Sequence, residues 1–234
     1  LIKNPNLAKE NIETTYNIAE YARRSDTNIV FASSREVYGN RGKLIYNESD
    51  TYIDECESPY TASKIAGESV INAYQECYDI ESCILRFSNV YGRFDASDRV
   101  VPLFIAQATR GENMTIYGSS KVLDFTYLDD CVNGIISAIE NFEKAKRTTF
   151  NIASGTGTSL LKLAELIIEH TNSKSTLSVE PNRTGEINRY VADISKAQKI
   201  LDFHPSHSLK SGLEQTTEWY QRNDHLFDDI LDQE

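Results

Sequence analysis

Apolar positions along the chain fall into two patterns, short unbroken runs and longer stretches spaced three and four residues apart, and the two alternate. "TNIVFASS" is a compact run ending in small polar residues, as a buried strand does where an open α/β sheet meets a ligand. Before it, "LIKNPNLAKENIETTYNIAEYARR" is amphipathic and predicts a helix. After it, Pro59 opens a second helix that runs to about Tyr78. "ESCILRFSNVYG" predicts the next strand and its ligand-side loop, and "RVVPLFIAQATRG" a helix ending at Gly111. "MTIYG" and "LDFTYL" read as short strands, and "DDCVNGIISAIENFEK" carries Val132, Ile135, Ile136 and Ile139 as a helical stripe. "TFNIAS" predicts a strand, while "SLLKLAELIIEHT", "DISKAQKILDF" and "SLKSGLEQTTEWYQRN" predict helices. The acidic "DHLFDDILDQE" predicts a solvated end. There is no internal repeat, low-complexity tract or Pro/Gly-rich linker. Strands alternating with helices predict an α/β protein with a largely parallel sheet.

Composition narrows the class. With 234 residues, 40% of them hydrophobic, the chain can bury a core and form one large or two small domains. No run approaches the roughly 18 apolar residues of a membrane span, and the first residues carry no signal-peptide pattern, so the cytoplasm is the expected location. A net charge of −11 argues against nonspecific nucleic-acid binding but leaves room for a local basic pocket that takes a small anion. Cys56, Cys77, Cys83 and Cys131 form no CxxC pair, so the expectation is reduced thiols, with neither a disulfide framework nor a metal site. The chain opens without an initiator methionine, Met114 being its sole methionine, and a fragment of a longer protein is expected.

Tyr60 and Lys64 stand four apart on a predicted helix, so both side chains project from one face toward the same molecule. A free tyrosine, with a pKa of about 10, is too weakly acidic to serve as a base at neutral pH, and a lysine ammonium nearby would lower it. Tyr60 then becomes a candidate general base toward a substrate hydroxyl. On that spacing alone, a surface helix with an incidental pair is the commoner outcome. Ser34, at the end of the strand before, could hydrogen-bond the same oxygen, completing a set able to oxidise one hydroxyl to a carbonyl.

The pieces "FASSREVYG", "SPYTASKIAGE", "LRFSNVYG", "RVVPLFIAQATRGENMTIYG", "DFTYLDD" and "RTGEINRYVADISKAQKIL" stand in an order and spacing that cover the chain from about Asn11 to Tyr220. In these pieces the sequence resembles the extended short-chain dehydrogenase/reductase family, which includes the nucleotide-sugar epimerases, dehydratases and decarboxylases. The resemblance implies a Rossmann-like doubly wound parallel sheet with a smaller C-terminal α/β substrate-binding domain. Residues 1–92 with 124–158 would form the NAD-binding part, residues 93–123 and 159–222 the substrate part, and residues 223–234 an acidic tail. The Gly-rich βα turn that opens this fold and cradles the dinucleotide pyrophosphate is absent from the sequence. On the usual layout, about 70 to 80 residues would precede Leu1.

The resemblance also implies roles. Tyr60 would be the base, Lys64 would lower its pKa and bond the nicotinamide ribose, and Ser34 would hold the reacting hydroxyl. Asn11, Ser33 and Phe87 would lie against NAD. Asn89 would contact the sugar diphosphate, Arg183 would bind it, and Glu186 would take ribose hydroxyls. Val100, Thr115 and Tyr117 would wall the uracil pocket. Tyr190 would close the space around the sugar C2 substituent and exclude an N-acetyl group. Many relatives carry a diphosphate-binding arginine where Leu123 stands here, so Lys121 or Arg99 would have to supply that charge. Beside Ser34, a dehydratase would carry Asp-Glu and a decarboxylase typically Ser-Glu, whereas this chain has Arg35-Glu36. Dehydration is disfavoured; Glu36 keeps decarboxylation open. A UDP-hexose 4-epimerase with bound NAD is the leading expectation, acting on a UDP-sugar as a homodimer through the Tyr60 helix and the one before it. The alternatives are a UDP-glucuronate decarboxylase, a UDP-uronate epimerase, or a noncatalytic NAD-binding scaffold.

Overall fold

The computed structural model describes residues 6–51, 53–182 and 188–231. In chain order the elements are α1 (Asn6–Ser25), β1 (Ile29–Ser34), α2 (Pro59–Tyr78), β2 (Ser82–Phe87), β3 (Asn89–Tyr91), α3 (Val100–Arg110), β4 (Met114–Tyr117), β5 (Val122–Tyr127), α4 (Leu128–Glu140), α5 (Phe142–Ala145), β6 (Thr148–Ile152), β7 (Gly157–Ser159), α6 (Leu160–Thr171), β8 (Leu177–Glu180), α7 (Ser195–Leu201), α8 (Leu209–Gln221) and α9 (Leu226–Leu231). Short 3-10 helices cover Arg35–Tyr38 and Ile53–Glu55.

β1, β2 and β6 form an all-parallel sheet in the order β1-β2-β6, registered so that Ser34 lies beside Phe87 and Phe87 beside Ile152. Parallel strands need crossovers, and helices supply them on both faces. α1 and α2 bury Ala19, Ala22, Ile71 and Tyr74 against Ile29 and Ile84 on one side. On the other, α4, α5 and α7 bury Ala138, Ala145 and Leu201 against Cys83, Leu85, Phe150 and Ile152. A larger apolar cluster joins α3, α6, α8 and α9 to β4 and β5 through residues such as Phe104, Ile116, Leu163, Leu213 and Phe227. β4 pairs with β8, while β5 joins parallel β3 to antiparallel β7. The result is a Rossmann-like α/β fold with a mostly parallel core sheet and a smaller C-terminal α/β part.

Two expectations are corrected. The stripe on α4 is only in part its buried face: Ile135 packs against the core and Val132, Ile136 and Ile139 are exposed, while Cys131, Gly134 and Ala138 point inward. The cause is close approach. A Cβ on Gly134 would lie 2.6 Å from Ile152 Cγ2, so α4 sits too near β6 for a large side chain between them. The acidic end is also not simply solvated, because α9 docks Phe227 and Ile230 into the large cluster. β7 and β8, three and four residues long, are too short to leave a periodic signal.

Candidate active site

The site forms where β1 ends and α2 begins. Ser34 leaves the strand in an extended conformation, and its hydroxyl accepts from the Glu36 amide at 3.2 Å, capping the 3-10 helix that turns the chain away. Ser58 caps α2 by accepting from Thr61 N at 3.2 Å, with Pro59 in its first turn, which presents Tyr60 and then Lys64 toward the ends of the parallel strands. The Ser34 hydroxyl lies near enough to the Tyr60 phenol to favour its charged form. Lys64 Nζ donates to the Ala32 carbonyl at 2.8 Å and lies 5.7 Å from the centre of the Tyr60 ring. Ser34, Tyr60 and Lys64 thus converge on one strand end, which sequence spacing anticipated.

Electrostatics at Tyr60 differ from expectation. Burial pushes its phenol above the ordinary 10; the Ser34 hydroxyl and the positive charges of Arg99 and Arg35 pull it back, and Glu36 opposes them. Lys64, expected to lower the phenol, stands 5.7 Å from the ring centre. Its ammonium is engaged with the Ala32 carbonyl and is itself pushed down by burial, with Glu68 acting the other way.

Behind the strand end lies a buried polar network that the sequence did not announce. The Ser33 hydroxyl donates to Glu68 Oε1 at 2.5 Å, so Ser33 turns its side chain into the interior and can meet a cofactor only through its backbone. Glu68 forms a two-pronged ion pair with Arg86, at 2.8 and 2.6 Å, and Arg86 also donates to Tyr38 and to the Glu48 carbonyl. Glu68 was legible in principle, since it lies four residues beyond Lys64 on the same helix face. Arg35 Nε donates to Asn89 Oδ1 at 3.1 Å, and Asn89 Nδ2 donates to the Asp124 carbonyl at 2.9 Å, which commits both ends of that amide within the protein. Buried Asp124 accepts from Ser154, Gly155 and Ala192 amides and so clamps the 190–192 segment against β5.

The remaining candidates divide. Asn11 Nδ2 donates to Ser63 Oγ at 3.2 Å across the α1–α2 contact, and Phe87 ends β2 beside Ser34. Val100 begins α3 just after exposed Arg99. Thr115, sharing a hydrogen bond with Ser178, and Tyr117 lie on β4 in the separate two-stranded sheet. Leu123 is buried in the large cluster and Lys121 is buried as well, which leaves Arg99 as the exposed cation of the pair named for the missing charge. Tyr190 is corrected in part: it is 1% exposed, stacked on Tyr38 and Tyr46 with the Arg35 guanidinium 5.7 Å from its ring centre, so it sits within packed structure and not on an open wall. Arg183 and Glu186 lie outside the described residues.

Residues 2–153 match the family model described as the NAD dependent epimerase/dehydratase family. The chain belongs to that family. Among relatives, an uncharacterized protein of Methanocaldococcus jannaschii is 32% identical over 217 residues, covering 92% of this chain and 66% of the relative. The uncharacterized UDP-glucose epimerase YtcB of Bacillus subtilis is 35% identical over 209 residues, covering 88% of this chain and 65% of the relative. The chain therefore spans just under two thirds of these relatives. Of solved structures, UDP-glucose 4-epimerase of Thermotoga maritima with UDP-glucose superposes with a TM-score of 0.86 at 29% identity, over 95% of this chain and 73% of that one. UDP-glucuronic acid 4-epimerase of Bacillus cereus, in complex with UDP-glucuronic acid and NAD, gives 0.82 at 28% identity, over 91% and 68%. Beside Ser34, Arg35 and Glu36 form an ion pair at 3.0 Å.

Proposed function

We propose that this chain carries the catalytic residues of an NAD-dependent UDP-hexose 4-epimerase. The observation that carries the reading is the convergence of the Ser34 hydroxyl, Tyr60 phenol and Lys64 ammonium at the end of β1. Residues 1–92 with 124–158 would serve the cofactor, and residues 93–123 with 159–222 the nucleotide sugar. The donor set suits NAD: Lys64 has one hydrogen bond to Ala32 and further N–H groups for ribose hydroxyls, at the strand ends where such folds receive dinucleotides. NAD, when bound, supplies the acceptor and donor of hydride at the sugar C4.

The residues then divide the work. Ser34, whose oxygen accepts from the Glu36 amide, donates its hydroxyl hydrogen to the C4 oxygen beside Tyr60. Tyr60, as phenolate, accepts that proton as the carbinol becomes a ketone, and returns it after the 4-keto sugar has turned its other face. The protein must lower the phenol from its buried, raised state, and Arg99 and Arg35 already act in that direction. Asn89, Arg183, Glu186, Val100, Thr115 and Tyr117 are proposed contacts to the UDP portion, and the protein is proposed to act as a homodimer through α1 and α2.

Incubating the full-length protein with NAD and UDP-glucose is expected to yield the C4 epimer, detected by NMR; no epimer from UDP-glucose would overturn the reading. Glu36, together with the likeness to the Bacillus cereus enzyme, supports a second reading in which the substrate is UDP-glucuronate. Carbon dioxide release with UDP-xylose formation, abolished by Glu36→Gln, would select a decarboxylase. Under the first reading, the same substitution lowers UDP-glucose turnover by no more than about tenfold.

A further inference from the structure

α2 grips the end of β1 at two consecutive residues. Lys64 Nζ donates to the Ala32 carbonyl at 2.8 Å, and one turn further along the same helix face Glu68 Oε1 accepts from the Ser33 hydroxyl at 2.5 Å. Ser34 comes next in the strand, so the residue that Glu68 holds stands between the anchor of Lys64 and the hydroxyl of the proposed triad.

Apolar packing alone would leave this seat free to slide. Gly67 brings α2 so near β1 that a Cβ there would lie 2.6 Å from Phe31 Cζ, yet apolar contact has no preferred direction. The bond between Ser33 and Glu68 has one. Glu68 is itself held, because Arg86 on β2 takes both of its oxygens, Nε to Oε1 at 2.8 Å and Nη2 to Oε2 at 2.6 Å. Arg86 Nη1 is fixed in turn by Tyr38 and by the Glu48 carbonyl. Ser33, Glu68 and Arg86 are 4%, 9% and 4% exposed, so bulk water does not replace a bond lost among them. A buried ion pair adds little stability over apolar side chains filling the same space. What this one adds is a fixed register between α2 and β1.

We propose that Glu68 and Ser33 are positioning residues: held by Arg86, Glu68 fixes Ser33 and with it the height of β1 against α2, and so seats Lys64 on Ala32 and Ser34 beside Tyr60. The consequence for turnover rests on the epimerase reading above.

Ser33→Ala in the full-length, NAD-loaded protein tests it, because this change breaks the grip and leaves the Glu68–Arg86 pair whole. Its kcat on UDP-glucose is expected to fall about 10-fold with KM within about twofold, since a small misplacement of reacting groups acts on the rate more than on binding. Ser33→Thr keeps the hydroxyl and is expected to hold kcat within about threefold of the unmodified protein. A merely structural hydroxyl would lower the urea midpoint and leave kcat of the folded protein alone. Unchanged kcat in folded Ser33→Ala, or equal losses in Ser33→Ala and Ser33→Thr, overturns the proposal. If Ser33→Ala fails to fold, Ser33→Cys, close in size but a weak donor, is compared with Ser33→Thr and read in the same way. If the unmodified protein turns over no UDP-glucose, the epimerase reading falls by itself and calorimetry of the cofactor-free full-length protein with NAD decides. Binding weaker by about fivefold in Ser33→Ala and regained in Ser33→Thr supports the seating of Lys64, whose free N–H groups face the ribose, and equal affinities overturn it.

Discussion

At the scale of single residues, the candidate chemistry depends on one hydroxyl pair. Because Tyr60 stands beside Ser34 in the first turn of α2, Tyr60→Phe removes the proposed proton acceptor without altering the helix that carries it. Its expected effect is a fall in kcat of about 10²-fold or more with UDP-sugar affinity kept, read from steady-state kinetics beside calorimetry. Equal loss of binding and rate would mean a disturbed fold. Tyr190 shows the opposite balance. The sequence reading makes it a gate against N-acetylated sugars, but a ring buried to 1% exposure between Tyr38, Tyr46 and Arg35 also holds structure. Tyr190→Ser is therefore expected to cost about 3 to 5 kcal/mol in denaturant unfolding, whatever it does to sugar choice. A loss below about 1 kcal/mol would show that the stack is loose.

At the scale of elements, buried carboxylates hold loops to strands and helices. Asp130, in the first turn of α4, accepts from the Ser206 and His207 amides at 3.0 and 3.1 Å and from the His207 ring at 3.0 Å, tying the approach to α8 onto α4. Burial alone would push Asp130 up; the hydrogen bonds from Ser206 and His207 outweigh it, and the carboxyl is held below the usual 3.8. The folded state therefore binds this proton less readily than the unfolded chain. The stability it contributes is present above the unfolded carboxylate range and is lost as pH falls through the lowered folded value. Asp130→Asn is expected to cost about 1 to 3 kcal/mol at pH 7 and to flatten the acid side of the stability profile, measured by urea unfolding from pH 7 to 3. A parallel shift at every pH would refute the linkage. α9 is a second test at this scale: Phe227→Ala, removing a buried ring from the large cluster, should cost about 3 to 5 kcal/mol, whereas a solvated tail would tolerate it.

At the scale of the whole molecule, α1 leaves Ile18 and Tyr21 exposed and α2 leaves Tyr78 exposed, on the helix pair proposed to join two subunits. Ile18→Asp with Tyr21→Asp is expected to convert a dimer to a monomer in sedimentation, and a monomeric unmodified protein would remove the proposal. Much of the molecule was readable beforehand because its signals are local. Strand ends followed by capped helices betray an α/β fold through periodicity, and Tyr60 and Lys64 share a helix face through geometry that needs no partner. What required the tertiary structure was every property set by an approach between distant segments. α4 turns its small residues inward because β6 lies so close at Gly134, and α9 is buried because α3 offers it a surface. Ser33 is drawn inward by Glu68 and Arg86 from two other elements, and burial at Tyr60 is answered by Ser34, reinforced by Glu36 and answered again by Arg99 and Arg35, residues scattered along the chain. The chain by itself determined which residue types are available and which of them share a local face. Packing decided which charges stand near one another and which are cut off from water, since Coulomb attraction and desolvation depend on distance in space and on burial, neither of which is encoded in spacing along the chain.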